Sequence, residues 1–95
     1  MIPSEKYVLR LYITGMTPRS TRALKTVRAT CDQHLAGHYE LEVIDVYQTP
    51  GRLVQDQIVA IPTLVKYLPG PPRFIVGDMS DRTRLLLGLG LPLDD

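Results

Sequence analysis

The sequence holds a single cysteine, Cys31, among 95 residues. A lone cysteine cannot close an internal disulfide, and such scarcity fits a reducing, cytoplasmic setting. Charge of one sign is also scarce: 11 Lys and Arg against 10 Asp and Glu leave a formal net charge of +1. No global field therefore points to nucleic acid or to an acidic membrane surface. Long apolar runs are missing, and none approaches the ~20 residues that a membrane-crossing helix needs. The opening Met1-Ile2-Pro3-Ser4-Glu5-Lys6 has no apolar signal core, so export by a signal peptide is not expected. Aromatic residues make up 6% of the chain, and they do not interleave with the cations as base stacking requires. Internal repeats, low-complexity tracts and interdomain linkers are absent.

What remains is an ordinary globular composition, 44% hydrophobic and 22% charged. The length suits one domain spanning residues 1–95, able to bury roughly 60–65% of its unfolded surface. The organising stretch is Val59-Ala60-Ile61-Pro62-Thr63-Leu64-Val65-Lys66-Tyr67-Leu68, a buried strand entered through a proline and closed by Pro69-Gly70-Pro71-Pro72. Because proline cannot donate to a sheet ladder, Pro62 is expected at the strand's first position, and a cis bond there would turn the chain sharply. An Ile-Pro-Thr step opening a strand resembles the thioredoxin superfamily, whose cis-proline loop faces the active site.

The rest of the chain supplies compatible elements. Residues 7–13, Tyr-Val-Leu-Arg-Leu-Tyr-Ile, read as a central strand because they are apolar on both faces apart from Arg10. Thr17-Pro18 is a helix start, with a hydroxyl at the N-cap and proline where no amide bond is lost. Leu24, Val27, Cys31 and Leu35 form the core stripe, and Gly37 ends the helix near residue 36. Residues 39–46 give a second strand whose Glu40 and Glu42 mark an edge. Thr49-Pro50 starts a second helix, with Leu53, Gln57 and Ile58, or Val54 and Ile58, facing inward. Strands at 63–68 and 73–76 follow, close enough to pair as an antiparallel hairpin. Ser80 or Asp78 caps a last helix containing Leu85, Leu86 and Leu87; Gly88, Gly90 and Pro92 stop it and leave a loose tail. The order β-α-β-(α)-β-β-α predicts an α/β, thioredoxin-like fold.

The chemistry of that fold is missing. Thioredoxin-type oxidoreductases act through a cysteine at the mouth of the first crossover helix. Here the mouth reads Gly15-Met16-Thr17-Pro18-Arg19-Ser20, so dithiol exchange cannot run and no enzyme is expected. Cys31 lies about three turns in, on the apolar stripe, and reads as a small core residue, with a redox sensor as the alternative. His34 and His38 are four apart, but Gly37 intervenes and only Asp32 is near, so they read as surface histidines and no metal site is expected. Asp45 has no histidine or second acid placed to cooperate with it. Gly15 is isolated, and Gly88-Leu89-Gly90 follows a helix, so no phosphate loop or other cofactor site is present. Arg19, Arg22, Lys25 and Arg28 share the outer face of the first helix, either as a solvated face or as a docking surface for an acidic protein.

Several stretches together resemble the KaiB family of circadian clock proteins over nearly the whole chain. They are residues 7–15 followed by Thr17-Pro18; Arg22-Ala23-Leu24-Lys25-Thr26; Tyr39; Val43-Ile44-Asp45-Val46; Pro50; Pro62-Thr63-Leu64; Leu68-Pro69; and Gly77-Asp78-Met79-Ser80-Asp81-Arg82. The resemblance implies a non-enzymatic protein that binds the ATPase ring of KaiC and recruits or sequesters KaiA. Tyr7, Arg22, Lys25 and Gln57 are the implied partner contacts. It also implies two folds for one sequence: a thioredoxin-like monomer that binds KaiC, and a rearranged second half that assembles into tetramers. Pro62, Gly88 and Gly90 are the positions expected to influence that choice. Gly90 and Pro92 make residues 87–93 poor material for further regular structure, so the thioredoxin-like monomer is expected to dominate over the tetramer.

The chain departs from the family pattern where it has Gln57 and Glu42 in place of Lys, Phe74 in place of Arg, and Gly90 in place of Asp. Two lost positive charges and one inverted charge weaken contacts to acidic partners, for a KaiA-like protein more than for a KaiC-type ring. Two alternatives stay open beside the clock reading. One is a diverged KaiB homologue in stress response; the other is a thioredoxin-fold redox protein acting through Cys31. KaiB-like domains also occur as sensor domains of histidine kinases, although these 95 residues contain no kinase segment.

Overall fold

The computed structural model describes residues 6–77 and 79–93. The expectations for the N-terminal opening, for Asp78 as a cap and for the last two residues of the tail lie outside the described residues. Seven elements follow one another: β1 (Tyr7–Ile13), α1 (Pro18–His34), β2 (Tyr39–Asp45), α2 (Gly51–Gln55), β3 (Thr63–Leu68), β4 (Arg73–Val76) and α3 (Arg82–Leu89). The sheet order is β2-β1-β3-β4. β1 pairs with β2 in parallel and with β3 antiparallel, and β3 pairs with β4 as an antiparallel hairpin. The predicted element order, the central β1 and the edge position of β2 are all present.

Strand alternation divides the sheet into two chemical faces. Tyr7, Leu9, Leu11 and Ile13 of β1 pack with Leu64 and Ile75 against Ala23, Val27, Cys31 and Leu35 of α1 and Leu85 and Leu89 of α3. The other face carries a smaller cluster of Tyr12, Ile44, Val46, Ile58 and Val65, with Leu53, Ile61 and Tyr67 packed against it. α2 is too short to cover that second face, so Arg10 and Tyr67 remain only half-buried on it. Pro62 directly precedes β3, and the Ile61–Pro62 bond is cis, as are Leu68–Pro69 and Gly70–Pro71.

Several boundaries differ from expectation, each for a local reason. α1 starts as read, with the Thr17 hydroxyl accepting from the Ser20 amide at 3.3 Å. It ends at His34, because Leu35 leaves helical geometry while its amide still donates to the Cys31 carbonyl at 2.6 Å. α2 stops at Gln55, no side chain caps it, and Gln57 lies beyond it with φ 59°. Leu53 and Ile58 turn inward, whereas Val54 is 85% exposed. α3 is capped by Asp81, whose carboxylate accepts from the Arg84 amide at 3.2 Å, and not by Ser80. Gly88 does not stop α3. It lies within the helix, and the stop comes at Gly90, where φ is 74° and the amide still bonds back to the helix carbonyls.

Candidate functional site

At the mouth of α1 the fold places a knot of hydrogen bonds where an oxidoreductase places sulfur. The Thr14 amide donates to Ser20 Oγ at 3.0 Å. Asp45 Oδ1, at the end of β2, accepts from the Gly15 and Tyr47 amides, each at 3.0 Å. Asp45 is therefore a tie between two loops, which accounts for it without catalysis. Met16 occupies the mouth itself, 88% exposed. Cys31 is fully buried in the α1 stripe, and burial, aided by Asp32 nearby, pushes its thiol up to about 12. Such a thiol stays protonated at neutral pH and is a poor nucleophile. Among the described residues no group of three His, Cys, Asp or Glu side chains is arranged to hold a metal ion. No helix among them is long and apolar enough to cross a membrane.

The four residues singled out as partner contacts do not converge. Arg22 and Lys25 stand exposed on α1, together with Arg19 and Arg28, forming one basic strip. Tyr7 is only 6% exposed; its ring belongs to the core under α1, and the Lys66 ammonium lies 5.8 Å from its centroid. Gln57 lies across the sheet from α1. There it lines a groove of about 380 Å³ with Arg10, Gln55, Asp56, Tyr67, Pro72 and Phe74. Gln57 and Phe74, two positions that depart from the family pattern, thus border the same groove. A third of the four, Glu42, reaches its edge by pairing with Arg10 at 3.0 Å.

That groove rests on a network whose members the sequence reading did not join. Tyr12, fully buried, donates its hydroxyl to Asp56 Oδ2 at 2.5 Å. Arg52 Nε donates to the same oxygen at 3.0 Å, and Arg10 lies 3.8 Å from it. The Arg10 guanidinium also sits 4.8 Å above the Tyr67 ring. The Tyr12 hydrogen bond, followed by the Arg52 cation, holds the Asp56 carboxyl below its ordinary range. Burial, then the same bond, raises the Tyr12 phenol. A buried tyrosine hydroxyl needs a partner, and an acid directly after α2 was the available signal. Its distance from Tyr12 in sequence hid the pairing. Another hollow, of about 600 Å³, lies between β4 and α3, lined by Arg73, Phe74, Ile75, Leu87 and Gly88.

The chain is similar to known proteins both in sequence and in fold. A family model described as the KaiB domain matches residues 10–91. The circadian clock oscillator protein KaiB of Nostoc punctiforme is 52% identical over 92 residues, covering 96% of this chain and 88% of that protein. Its counterpart from Prochlorococcus marinus is 50% identical over 95 residues, covering 100% of this chain and 80% of that one. Among solved structures, the N-terminal domain of Synechococcus elongatus SasA superposes with a TM-score of 0.73 at 24% identity, covering 95% of this chain and 89% of that one. The Drosophila germline thioredoxin Deadhead gives a TM-score of 0.72 at 14% identity, with coverages of 92% and 81%. At those identities the two structures establish the thioredoxin-like fold alone.

Proposed function

The chain belongs to the KaiB family, and from that membership we propose that it is a regulatory protein-binding module that docks on a KaiC-type ATPase ring. The observation that carries this reading is the basic strip of α1. Arg19, Arg22, Lys25 and Arg28 are all exposed on one helix. An acidic partner surface complements such a strip, and complementary charge favours both the rate and the register of docking. The helix mouth supports the same reading: with Met16 there in place of a thiol and Cys31 sealed in the core, the scaffold keeps its shape without its redox chemistry. The burial of Cys31 also counts against a redox protein acting through it.

A KaiA-like partner fits this chain less well. β2 exposes Glu40 and Glu42, and each is in an ion pair, with Lys6 at 2.9 Å and Arg10 at 3.0 Å. Lys6 and Arg10 are thereby engaged within the fold, which leaves this edge less positive charge to offer an acidic partner. The binding state in this proposal is the thioredoxin-like monomer.

The test is capture of the purified chain by its cognate KaiC-type ring. Wild type is expected to be retained, and Arg22→Glu to bind at least about tenfold more weakly while melting at the same temperature. Equal capture of both proteins removes the basic strip from the interface, and capture of neither removes the reading.

A further inference from the structure

Strand register brings three loops together at one end of the sheet. Ile13 pairs with Asp45, and Tyr12 pairs with Thr63. The segments leaving β1, leaving β2 and entering β3 therefore meet there. Each presents one large apolar side chain to water: Met16 is 88% exposed, Tyr47 73% and Val59 93%. Apolar residues scattered singly over a surface are ordinary, whereas several gathered at one place mark an interaction site.

The backbone under these side chains is fixed. Asp45 Oδ1 holds the Gly15 and Tyr47 amides, one on either side of the junction, each at 3.0 Å. Tyr47 lies so close over Gly15 that a Cβ added there would be 3.3 Å from the ring. On the third loop, the Thr63 hydroxyl donates to the Ala60 carbonyl at 2.6 Å, pinning the turn next to Val59. A platform already held in place loses little freedom on binding.

Charge selects the occupant. Among the described residues of these three segments, the carboxylates are engaged within the fold: Asp45 by the two amides, Asp56 by Tyr12 and Arg52. The exposed charges beside Met16, on the first turns of α1, are Arg19 and Arg22. Two such ends from two copies would repel each other, which argues against a second copy of this chain. We propose that the Met16–Tyr47–Val59 end is a docking surface for an extended segment of a partner protein in which acidic residues alternate with apolar ones. The apolar side chains of that segment cover Met16, Tyr47 and Val59, while its carboxylates meet Arg19 and Arg22. This deepens the docking reading above, rests on it in taking the chain to be a binder of proteins, and shares Arg19 and Arg22 with it.

The experiment is an NMR titration of the ¹⁵N-labelled full chain with two synthetic peptides, one alternating Glu with Leu and one alternating Lys with Leu. The acidic peptide is expected to shift amides in residues 14–19, 45–49 and 57–63, and the basic peptide to leave them unmoved. Tyr47→Ser and Val59→Ser, at exposed positions that leave no core gap, are each expected to weaken the acidic peptide about tenfold. The proposal is overturned by shifts confined to the groove around Arg10 and Tyr67, by equal response to both peptides, by no response, or by serine variants that bind like wild type. It is also overturned if the exposed patch proves to be covered by self-association on raising the protein concentration. Capture by the KaiC-type ring is scored separately with Lys25→Glu and Arg28→Glu, exposed positions on α1 outside this surface. A ring that is captured while the peptide is not sinks this proposal alone, and the reverse sinks only the assignment of the ring.

Discussion

Gly88 of α3 lies against Ile75 of β4 so closely that a Cβ added to it would fall 2.5 Å from Ile75 Cδ1 and 2.6 Å from Cγ1. Real Cβ atoms do not approach so near, so Gly88→Ala forces the Ile75 side chain or the helix to move. Overpacking of this kind costs about 1–3 kcal/mol, while the gain in helix propensity from Gly to Ala returns about 1 kcal/mol. The expected outcome in urea titration is a net loss of roughly 1 kcal/mol, the difference between those two ranges. In an Ile75→Ala background, where Cγ1 and Cδ1 are both gone and only Cβ, 3.8 Å away, remains, the same substitution is expected to cost less. An undiminished cost in the double mutant would show that Ile75 is not the obstacle.

The pair also marks where sequence reasoning loses sight of the molecule. Glycine inside a helix is locally unfavourable, so Gly88 reads as a stop; its reason for being there is a strand residue that local propensity cannot see. Tyr12 and Asp56 fail to announce each other for the same reason: each is ordinary in its own window, and only the packing of α2 on the sheet joins them. What was legible rests on neighbours in sequence. Thr17-Pro18 set a helix start, Pro62 opened β3, and the short link between β3 and β4 required a hairpin. The basic strip of α1 was legible from helical spacing. The groove holding Gln57 and Phe74 was not, because its walls come from three separate segments.

Cys31 makes a prediction in alkali. Its folded thiol is pushed up to about 12 by burial, whereas an unfolded thiol titrates near ~8.5. Between those values the unfolded chain loses a proton that the folded chain keeps, so stability falls as pH rises. The contribution is complete below ~8.5 and declines steadily toward about 12. Tyr39, raised to about 12 first by its hydrogen bond to Asp32, joins only at higher pH because its unfolded value is ~10. Cys31→Ala is therefore expected to flatten the first part of the alkaline limb in melting experiments, whatever it costs at neutral pH. Native protein should also react with iodoacetamide no faster than it opens; rapid labelling at neutral pH would contradict the burial.

The Tyr12–Asp56 bond makes the matching prediction in acid. Asp56 titrates below its ordinary value when folded, chiefly because of the Tyr12 hydroxyl. The stabilisation it gives is present above the unfolded value of ~3.9 and is lost as pH falls from there toward the lower folded value. Asp56→Asn is expected to be least costly in strong acid and to shrink the acid limb. At neutral pH, Asp56→Ala is expected to cost about 1–3 kcal/mol, because it leaves the buried Tyr12 hydroxyl without its acceptor. Tyr12→Phe should cost less, since Arg52 still pairs with the carboxylate. If Tyr12→Phe proves the more damaging change, the hydroxyl is doing something the network does not explain.

Gly90 tests whether the end of α3 holds the thioredoxin-like monomer together. Its φ of 74° lies in the left-handed region, and its amide closes the helix on the Leu86 and Leu87 carbonyls while Leu91 bonds back to Leu86 at 2.9 Å. Glycine adopts that geometry freely, whereas an L side chain is strained there by about 1 kcal/mol. The cap matters because Leu85, Leu86 and Leu89 of this one short helix are all buried. Gly90→Ala is therefore expected to destabilise the chain by about 1 kcal/mol, with amide exchange accelerating first in α3. Wild type is expected to sediment as a 10.7 kDa monomer at micromolar concentration. A tetramer there would mean that another packing of the second half outcompetes the capped helix. A monomer whose α3 amides exchange no faster in Gly90→Ala would mean that the cap does not govern the helix.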